Sequence, residues 1–267
     1  MIALKSPREI ETMRRSGKIT AAVLTQVMAA VRPGISTREL DAIAQAGIRE
    51  RGGIPTFLGY NGFQGSICAS VNDEVVHGIP GSRVLRDGDL LSIDIGTTFE
   101  DYVSDMAVTV AVGTISPQAQ RLLDVTQQCL MVGIAAMVPG ARVGDIGAAV
   151  QAHALQHGYG VVRELVGHGV GRAMHEEPQV PNYGKAGTGP QLRTGLVLAI
   201  EPMITQGDPA TQTLEDGWTV VTADGKLAAH FEHTIAMTDD GPKILTLREV
   251  GEPPEAQRFR PKEEVRV

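Results

Sequence analysis

Four carboxylates in this chain lie at the ends of apolar, strand-like stretches or within them. Asp94 and Glu201 each close an apolar run, Asp105 follows Asp94 by 11 residues, and Glu232 lies inside a late strand-like segment. Taken singly, Asp105 is better explained as a turn cap and Asp94 as a strand end near solvent. The four together are harder to explain, because an unpaired buried carboxylate is very costly. A cation shared between them is the simplest compensation.

His168 has a glycine on each side and is a candidate nitrogen donor for the same site. Flanking glycines let a backbone approach a ligand closely, although a lone histidine on a strand is more often structural. His175 follows seven residues later, and His77 is a third candidate. The helical zinc motif His-Glu-x-x-His is absent, because Gln179 stands where its second histidine belongs.

These donors define a metal site of four carboxylates and one imidazole: Asp94, Asp105, His168, Glu201 and Glu232. Without metal, four negative charges in one cavity repel each other. Two divalent cations cancel those charges, and bridging carboxylates hold such a pair about 3.5–4 Å apart. An oxygen-rich set with one imidazole suits Mn, Fe, Co or Zn. A thiolate-rich zinc site is excluded, because neither Cys68 nor Cys129 belongs to the set.

A repeat indicates the elements that position these residues. The segments 85–94 and 192–201 lie 107 residues apart, and each begins Leu-Arg-x-Gly, continues as an apolar run and ends on a carboxylate. Before each phrase the pattern predicts a helix, a Pro-Gly break and a second helix. The predicted helix starts are Ser6-Pro7, Ser36-Thr37, Ser116-Pro117 and Val143-Gly144.

Six segments rich in Val, Ile and Thr are predicted to be strands. They are Leu90–Ile95, Met106–Val112, Val161–Val166, Leu196–Ile200, Trp218–Thr222 and His230–Met237. Alternation in the first places Asp94 on the opposite face from Ile93 and Ile95. One hairpin then returns Asp105 to the side of Asp94, and a longer one runs from Glu201 to Glu232.

The chain of 267 residues has an ordinary globular composition, with 42% hydrophobic and 21% charged residues. The repeat predicts an α/β (α+β) fold with a central, mostly antiparallel sheet covered by helices. We expect one catalytic domain over residues 1–247, built from two similar halves of about 1–113 and 114–247. Residues 248–267 are rich in Pro, Glu and Arg, which predicts a loosely ordered C-terminal extension.

Charge and cysteine content restrict the partners and the compartment. A net charge of -7 argues against a nucleic-acid surface. No stretch approaches the ~20 apolar residues of a membrane span, and the start lacks a signal-peptide core. Two cysteines give no disulfide framework, which fits a reducing environment. We therefore expect a cytoplasmic protein that binds neither nucleic acid nor membrane.

The chain resembles a bacterial-type, type I methionine aminopeptidase over almost its whole length. The motifs that carry the resemblance are Val71–Pro80, Ser92–Gly96, Tyr102–Asp105, Gly167–Gly171, His175–Pro178, Ile200–Met203 and Phe231–Thr234. The resemblance implies the pseudo-symmetric pita-bread fold. It also implies removal of the N-terminal methionine from nascent proteins and peptides, best when the second residue is small.

By this resemblance, two divalent metal ions occupy the site. Asp94 would bind one metal and Asp105 would bind both. His168 and Glu201 would bind the second metal, and Glu232 would bridge the pair. The free amine of the substrate would complete a metal's coordination, which explains why a single residue is removed.

The resemblance also implies three catalytic roles. Glu201 would be the general base toward a water whose pKa the metals lower. His175 would hydrogen-bond the scissile carbonyl as it becomes an oxyanion, and His77 would contact the peptide nitrogen of the substrate.

An apolar pocket for the methionine side chain is implied as well. Its residues would be Tyr60, Phe63, Cys68, Met174, Trp218 and Phe231. Such a pocket suits a flexible thioether, although each residue is equally explained as ordinary core. Met174 and Phe63 stand where relatives often have other aromatic residues, so the resemblance defines the pocket less closely than the metal site.

Two other functions compete with this one. A proline-specific aminopeptidase or prolidase would share the fold but typically adds an N-terminal domain, and here the first repeat begins within ten residues of the start. A non-catalytic binding protein on the same fold would lack metal ligands, whereas every ligand position is filled. We expect a monomer that acts on nascent-chain N-termini, with the ribosome as a candidate further partner.

Overall fold

The structure is a computed structural model that describes residues 2–248. Its helices are α1 (Pro7–Ala30), α2 (Thr37–Glu50), α3 (Pro117–Ala135) and α4 (Val143–Gln156), and a short 3-10 turn spans Tyr60–Gly62. All four predicted helix starts are confirmed. Ser6 and Ser36 each cap a helix with a side-chain oxygen, and Glu9 and Glu39 reach back to complete the two capping boxes.

The described residues form fifteen strands. These are β1 (Ile54–Pro55), β2 (Ile67–Val71), β3 (Glu74–Val76), β4 (Leu90–Phe99), β5 (Tyr102–Ala111), β6 (Gly160–Val161), β7 (Gly167–Gly169), β8 (Glu176–Val180), β9 (Val197–Ile200), β10 (Met203–Thr205), β11 (Thr211–Thr213), β12 (Val220–Thr222), β13 (Ala228–His230), β14 (Glu232–Thr238) and β15 (Gly241–Ile244).

One large antiparallel sheet crosses both halves of the chain. Its order is β1-β4-β5-β14-β9-β7-β8, with β2 also paired to β4 and β15 to β14. Two three-stranded sheets, β13-β10-β6 and β11-β12-β3, flank it. The last long strand in the sequence, β14, therefore lies in the middle, between a strand of the first half and a strand of the second.

Helices cover one face of this sheet and leave the other for the site. From α1 and α2, residues such as Leu24 and Leu40 pack with Ile93 and Ile95 of β4. The second helix pair packs in the same way on β9 and β14. Because side chains alternate along a strand, the residues between these apolar ones point away from the helices. The predicted orientation of Asp94, opposite to Ile93 and Ile95, is confirmed.

The glycine shared by the two repeated segments is required by the backbone conformation. Gly88 and Gly195 both have positive φ, +93° and +92°, in the tight turn that precedes β4 and β9. Each glycine N–H also donates to the end of a neighbouring strand segment, Gly88 to Val112 O at 2.9 Å and Gly195 to Met237 O at 2.9 Å. The two turns thus have the same backbone geometry, and each directs the strand that follows it toward the site.

Three predicted strands are interrupted in the structure or shortened there by more than one residue. The predicted Val161–Val166 ends at Val161, and the following residues run to the cavity. The predicted His230–Met237 breaks at Phe231, because β13 pairs with β10 in a flanking sheet while β14 joins the central one. The predicted Trp218–Thr222 starts only at Val220, because Asp216 accepts bonds from the two preceding N–H groups and holds them in a turn.

Within residues 2–248, no helix is both long enough and apolar enough to cross a membrane. The predicted C-terminal extension, 248–267, lies outside the described residues except for Arg248, which contacts Met28. The assignment of residues 1–247 to one catalytic domain stays a prediction.

Candidate active site

Two neighbouring rows across the open face of the sheet place the predicted ligands. In the first row, Ala107 of β5 pairs with Asp94 on one side and with Glu232 of β14 on the other. Glu201 directly follows β9, one residue beyond the pairing of Ile200 with β14, and so falls beside Glu232. The small side chain of Ala107 leaves space between the two carboxylates that flank it.

The second row lies two residues further along each strand. Ala199 of β9 pairs with Thr234 of β14 and with His168 of β7. Asp105 completes the row, because its N–H donates to Thr234 Oγ1 at 2.9 Å and its C=O accepts from the same hydroxyl at 2.8 Å. The hairpin and the repeat thus deliver donors from five separate segments to one patch of sheet.

The five predicted ligands meet at the floor of a cavity. His168 Nε2 lies 3.4 Å from Glu201 Oε1 and 3.8 Å from Asp105 Oδ2. Asp105, His168 and Glu232 each offer a donor atom, and these atoms lie within 4.8 Å of one another. Asp105 lies close enough to Asp94 to help raise the pKa of its carboxyl. Asp105 and Glu232 are only 2% exposed.

The electrostatics of this cluster favour a bound cation. Burial and the neighbouring carboxylates raise the pKa of Asp94, Glu201 and Glu232 well above the usual range. Burial raises the pKa of Asp105 to about 7. Burial, and then the nearby His175, lower the pKa of His168 to about 4, so its imidazole is neutral at pH 7 as a metal ligand must be.

Two carboxylate oxygens test whether the cluster fits a metal. Asp94 Oδ1 and Glu232 Oε1 are buried and have no hydrogen-bond partner among the described residues. Buried acceptors of this kind are costly unless something positive faces them. The oxygen-rich donor set with one imidazole therefore fits divalent cations, and the ligand roles of the five residues stay predictions.

The glycines beside His168 have a different role from the predicted one. A methyl group on Gly167 would lie 2.4 Å from Ala199 O, and one on Gly169 would lie 2.3 Å from Glu177 O. The close backbone approach is therefore to the two neighbouring strands and not to a ligand. These glycines let β7 fit between β8 and β9, which sets the depth of His168.

Replacing Gly167 by alanine is expected to lower the free energy of unfolding by about 1–3 kcal/mol, because the new methyl group meets rigid backbone. Urea unfolding monitored by circular dichroism measures the loss. The matched control is Gly81→Ala, where a methyl group would meet Ile79 O at a comfortable 3.8 Å. Equal stabilities of the two variants would show that β7 has room to shift.

Above the carboxylates, the cavity has a volume of about 220 Å³ and an apolar wall. The predicted substrate-binding residues that line it are Tyr60, Phe63, Cys68, His77, Met174, His175 and Trp218. Phe63 and Trp218 meet edge to face, with ring centroids 5.1 Å apart. Cys68 pairs with Asp94 across the strands, and burial together with the carboxylates raises the pKa of its thiol. Cys68 is therefore an uncharged part of the wall.

The two histidines with predicted substrate roles lie above the predicted metal ligands. The ring of His175 is 4.3 Å from that of His168, centroid to centroid, and its Nδ1 is 2.7 Å from the Tyr60 hydroxyl. His77 has a φ of +62°, a left-handed conformation that is rare outside glycine and is often found at functional sites. Burial lowers the pKa of both His77 and His175, which favours neutral rings.

Phe231 is not among the residues that line the cavity, and this part of the predicted pocket is wrong. It directly precedes Glu232, and adjacent residues of a strand point to opposite faces. With Glu232 facing the cavity, Phe231 packs on the helix-covered side, in contact with three of the core clusters.

Sequence reasoning missed several wall residues and one buried histidine. The missed wall residues are Phe57, Asn61, Val76, Leu165, Val166 and Met203. His230 is 1% exposed, and its Nε2 lies 3.8 Å from Glu201 Oε2 and 4.0 Å from Glu232 Oε2. Burial lowers its pKa to about 3, and neither ring nitrogen has a hydrogen-bond partner among the described residues. Its position two residues before Glu232 was the available signal.

Known proteins are similar to this chain over most of its length. The sequence pattern of metallopeptidase family M24 matches residues 11–239 of this chain. The chain is 53% identical over 246 residues to methionine aminopeptidase 1 of Bacillus subtilis (strain 168). The aligned residues make up 92% of this chain and 99% of that protein. The chain belongs to the M24 methionine aminopeptidases. The predicted family and enzyme class are thereby confirmed, and divalent metal use comes with the family.

Solved structures confirm the pita-bread fold. The methionine aminopeptidase of Rickettsia prowazekii superimposes with a TM-score of 0.91 at 40% identity, over 92% of this chain and 100% of that one. The prolidase of Pyrococcus furiosus gives a TM-score of 0.76 at 21% identity, over 92% of this chain and 66% of that one. The prolidase shares the fold alone, so the methionine aminopeptidase reading is favoured over its rival.

Proposed function

We propose that this methionine aminopeptidase acts in the cytoplasm on the N-termini of nascent proteins and peptides, best when the second residue is small. The observation that carries the proposal is the joining of two features in one cavity. A five-residue donor cluster forms the floor, and an apolar wall with two edge-to-face aromatic rings rises from it. Such a wall suits an unbranched thioether.

Two divalent cations, drawn from Co, Mn, Fe or Zn, are the proposed cofactors. The residues that would hold them are Asp94, Asp105, His168, Glu201 and Glu232. When bound, such cations lower the pKa of a water molecule and polarise the scissile carbonyl. Four carboxylates balance the charge of two such cations, which supports the proposed number.

Glu201 is the proposed general base. Its carboxylate is at the cavity floor with its side chain 13% exposed, so it is reached from the cavity and shielded from bulk solvent. It would accept the proton of the attacking water and pass it to the amine that leaves. Close carboxylates and burial raise its pKa, and a higher pKa makes a carboxylate a better base near neutral pH.

His175 and His77 are the proposed substrate contacts. If the Tyr60 hydroxyl donates to His175 Nδ1, the neutral ring carries its proton on Nε2. That N–H can then donate to the carbonyl oxygen as negative charge develops on it. His77, in the cavity wall beside Trp218, would contact the peptide nitrogen.

The substrate assignment predicts a clear ranking of peptides. We expect the metal-loaded protein to hydrolyse Met-Ala-Ser and to have little activity on X-Pro peptides of equal length, because the cavity wall accepts the first side chain and nothing on it selects proline. Release of the first residue is measured by chromatography. Equal or faster cleavage of the X-Pro peptides would contradict the proposal. Ribosome contact and a monomeric state stay predictions.

A further inference from the structure

Glu176 directly follows His175, but its carboxylate turns away from the cavity and lies under its own loop. One oxygen, Oε1, accepts from the backbone N–H of Arg172 at 2.9 Å and of Ala173 at 3.4 Å. The other oxygen, Oε2, forms an ion pair with Lys5 Nζ. The Glu176 side chain thus contacts both the backbone of the loop and a cation from the start of the chain.

Lys5 is itself fixed from several directions. Its side chain is 5% exposed, which is rare for lysine unless the charge is paired. Its Nζ also donates to Ala3 O at 3.0 Å, and its backbone N–H donates to Gly195 O at 2.7 Å in the turn before β9. Lys5 is therefore anchored through its backbone to the turn before β9, independently of the loop that carries His175.

Residues 171–176 form the loop that packs on the Lys5–Glu176 ion pair. A methyl group on Gly171 would lie 2.4 Å from Glu176 Oε1 and 2.5 Å from Lys5 Cε, so a side chain there would have to displace the ion pair. Gly171 O in turn accepts from Val103 N of β5 at 2.8 Å. The chain between Ala173 and Glu176 is therefore held at both ends, and its two inner residues are the cavity residues Met174 and His175.

We propose that Lys5 and Glu176 are positioning residues that hold His175 over the reacting carbonyl. This rests on the proposed role of His175 in catalysis. The His175 ring contacts Tyr60 and His168 on its cavity side, and its position also depends on the backbone of the short span that carries it. Removing either charge leaves its partner buried and unpaired, which is strongly destabilising for that spot, and the loop is expected to rearrange. A shift of about 1 Å in a catalytic group can cost ~100-fold in rate.

A double-mutant cycle separates positioning from general stability. We expect Lys5→Met to lower kcat of the metal-loaded enzyme on Met-Ala-Ser by about 10- to 100-fold. His175→Ala is expected to lower kcat as well, and adding Lys5→Met to it should cause almost no further loss. Lys5→Arg, which keeps the charge, should recover most of the activity. If Lys5→Met folds poorly, Glu176→Gln replaces it in the cycle, because its amide oxygen still accepts from the loop.

The control is Arg15→Met, which removes an exposed ion pair with Glu100 between α1 and the tip of the β4–β5 hairpin. Exposed pairs contribute little, so its kcat should stay unchanged. Independent, multiplicative losses for Lys5→Met and His175→Ala, or normal kcat in Lys5→Met, would overturn the positioning proposal alone. Normal turnover in His175→Ala would instead overturn the proposed role of His175, and the positioning proposal with it.

Discussion

Replacing Glu201 by glutamine is expected to lower kcat on Met-Ala-Ser by about 10³-fold or more, even at saturating Mn or Co. Glutamine fills the same space and keeps an oxygen toward the cluster, but it cannot accept the proton of the attacking water. General base catalysis alone contributes about 10²- to 10⁴-fold. The loss should appear in kcat, because the apolar wall that binds the substrate is unchanged.

Metal content must be measured with this variant, because Glu201 is also a proposed ligand. Isothermal titration with Mn gives the affinity, and assays at saturating metal remove the contribution of weaker binding. Glu50→Gln, at the exposed end of α2, is the matched control and should keep normal kcat. Near-normal turnover of Glu201→Gln at saturating metal would remove Glu201 as the base.

Metal-free protein is expected to lose several kcal/mol of unfolding free energy between pH 6.5 and 8.5. The pKa of Asp105 is about 7 in the folded state, and those of Asp94 and Glu232 are raised as well. The folded state therefore holds protons that the unfolded chain, with carboxyl pKa values near 4, has already released. Stability from these groups is complete at low pH and is lost as pH rises through the folded pKa values.

His168 and His230 change the unfolding free energy with pH in the opposite direction, but only at acidic pH. Their folded pKa values, about 4 and about 3, lie below that of a free histidine, so their burial costs stability as pH falls below about 6.5. The carboxylate effect is therefore clearest above pH 6.5. Added Mn should reverse it, because metal binds the deprotonated ligands and its stabilisation grows with pH.

Chemical unfolding with chelator or with Mn, at pH 6.5 and at pH 8.5, measures this pattern. Asp105→Asn supplies the control: without metal it should be more stable than the parent at pH 8.5, because one buried charge is gone. It should also gain less from Mn. A metal-free stability that is constant or rises from pH 6.5 to 8.5 would show that the carboxylates do not repel each other as proposed.

Part of the donor cluster could be predicted from the sequence, because sequence patterns fix the placement of three of its five members. Alternation set the face of Asp94, a hairpin returned Asp105, and the repeat placed Glu201 as the counterpart of Asp94. Alternation also carried information that the prediction did not use. Once Glu232 is assigned to the cavity, Phe231 must face the helices.

Other features depend on contacts between distant segments, and local patterns do not contain them. The need for Gly167 arises from Ala199 O on the neighbouring strand. The break after His230 arises because that residue pairs with Met203 in a flanking sheet. Glu176 looked like part of a motif around His175, and its partner Lys5 lies 171 residues away.

The order of the central sheet has a consequence for synthesis of the chain. Strand β14 is the fourteenth of the fifteen described strands in chain order, yet it lies between β5 and β9 in the central sheet. Until residues 232–238 have left the ribosome tunnel, both of those strands keep a free edge, and Glu232 is missing from the cluster. The two halves of the central sheet are thus joined by one of the later segments of the chain, and a truncated chain that ends before Glu232 carries four of the five donors but lacks the strand that joins those halves.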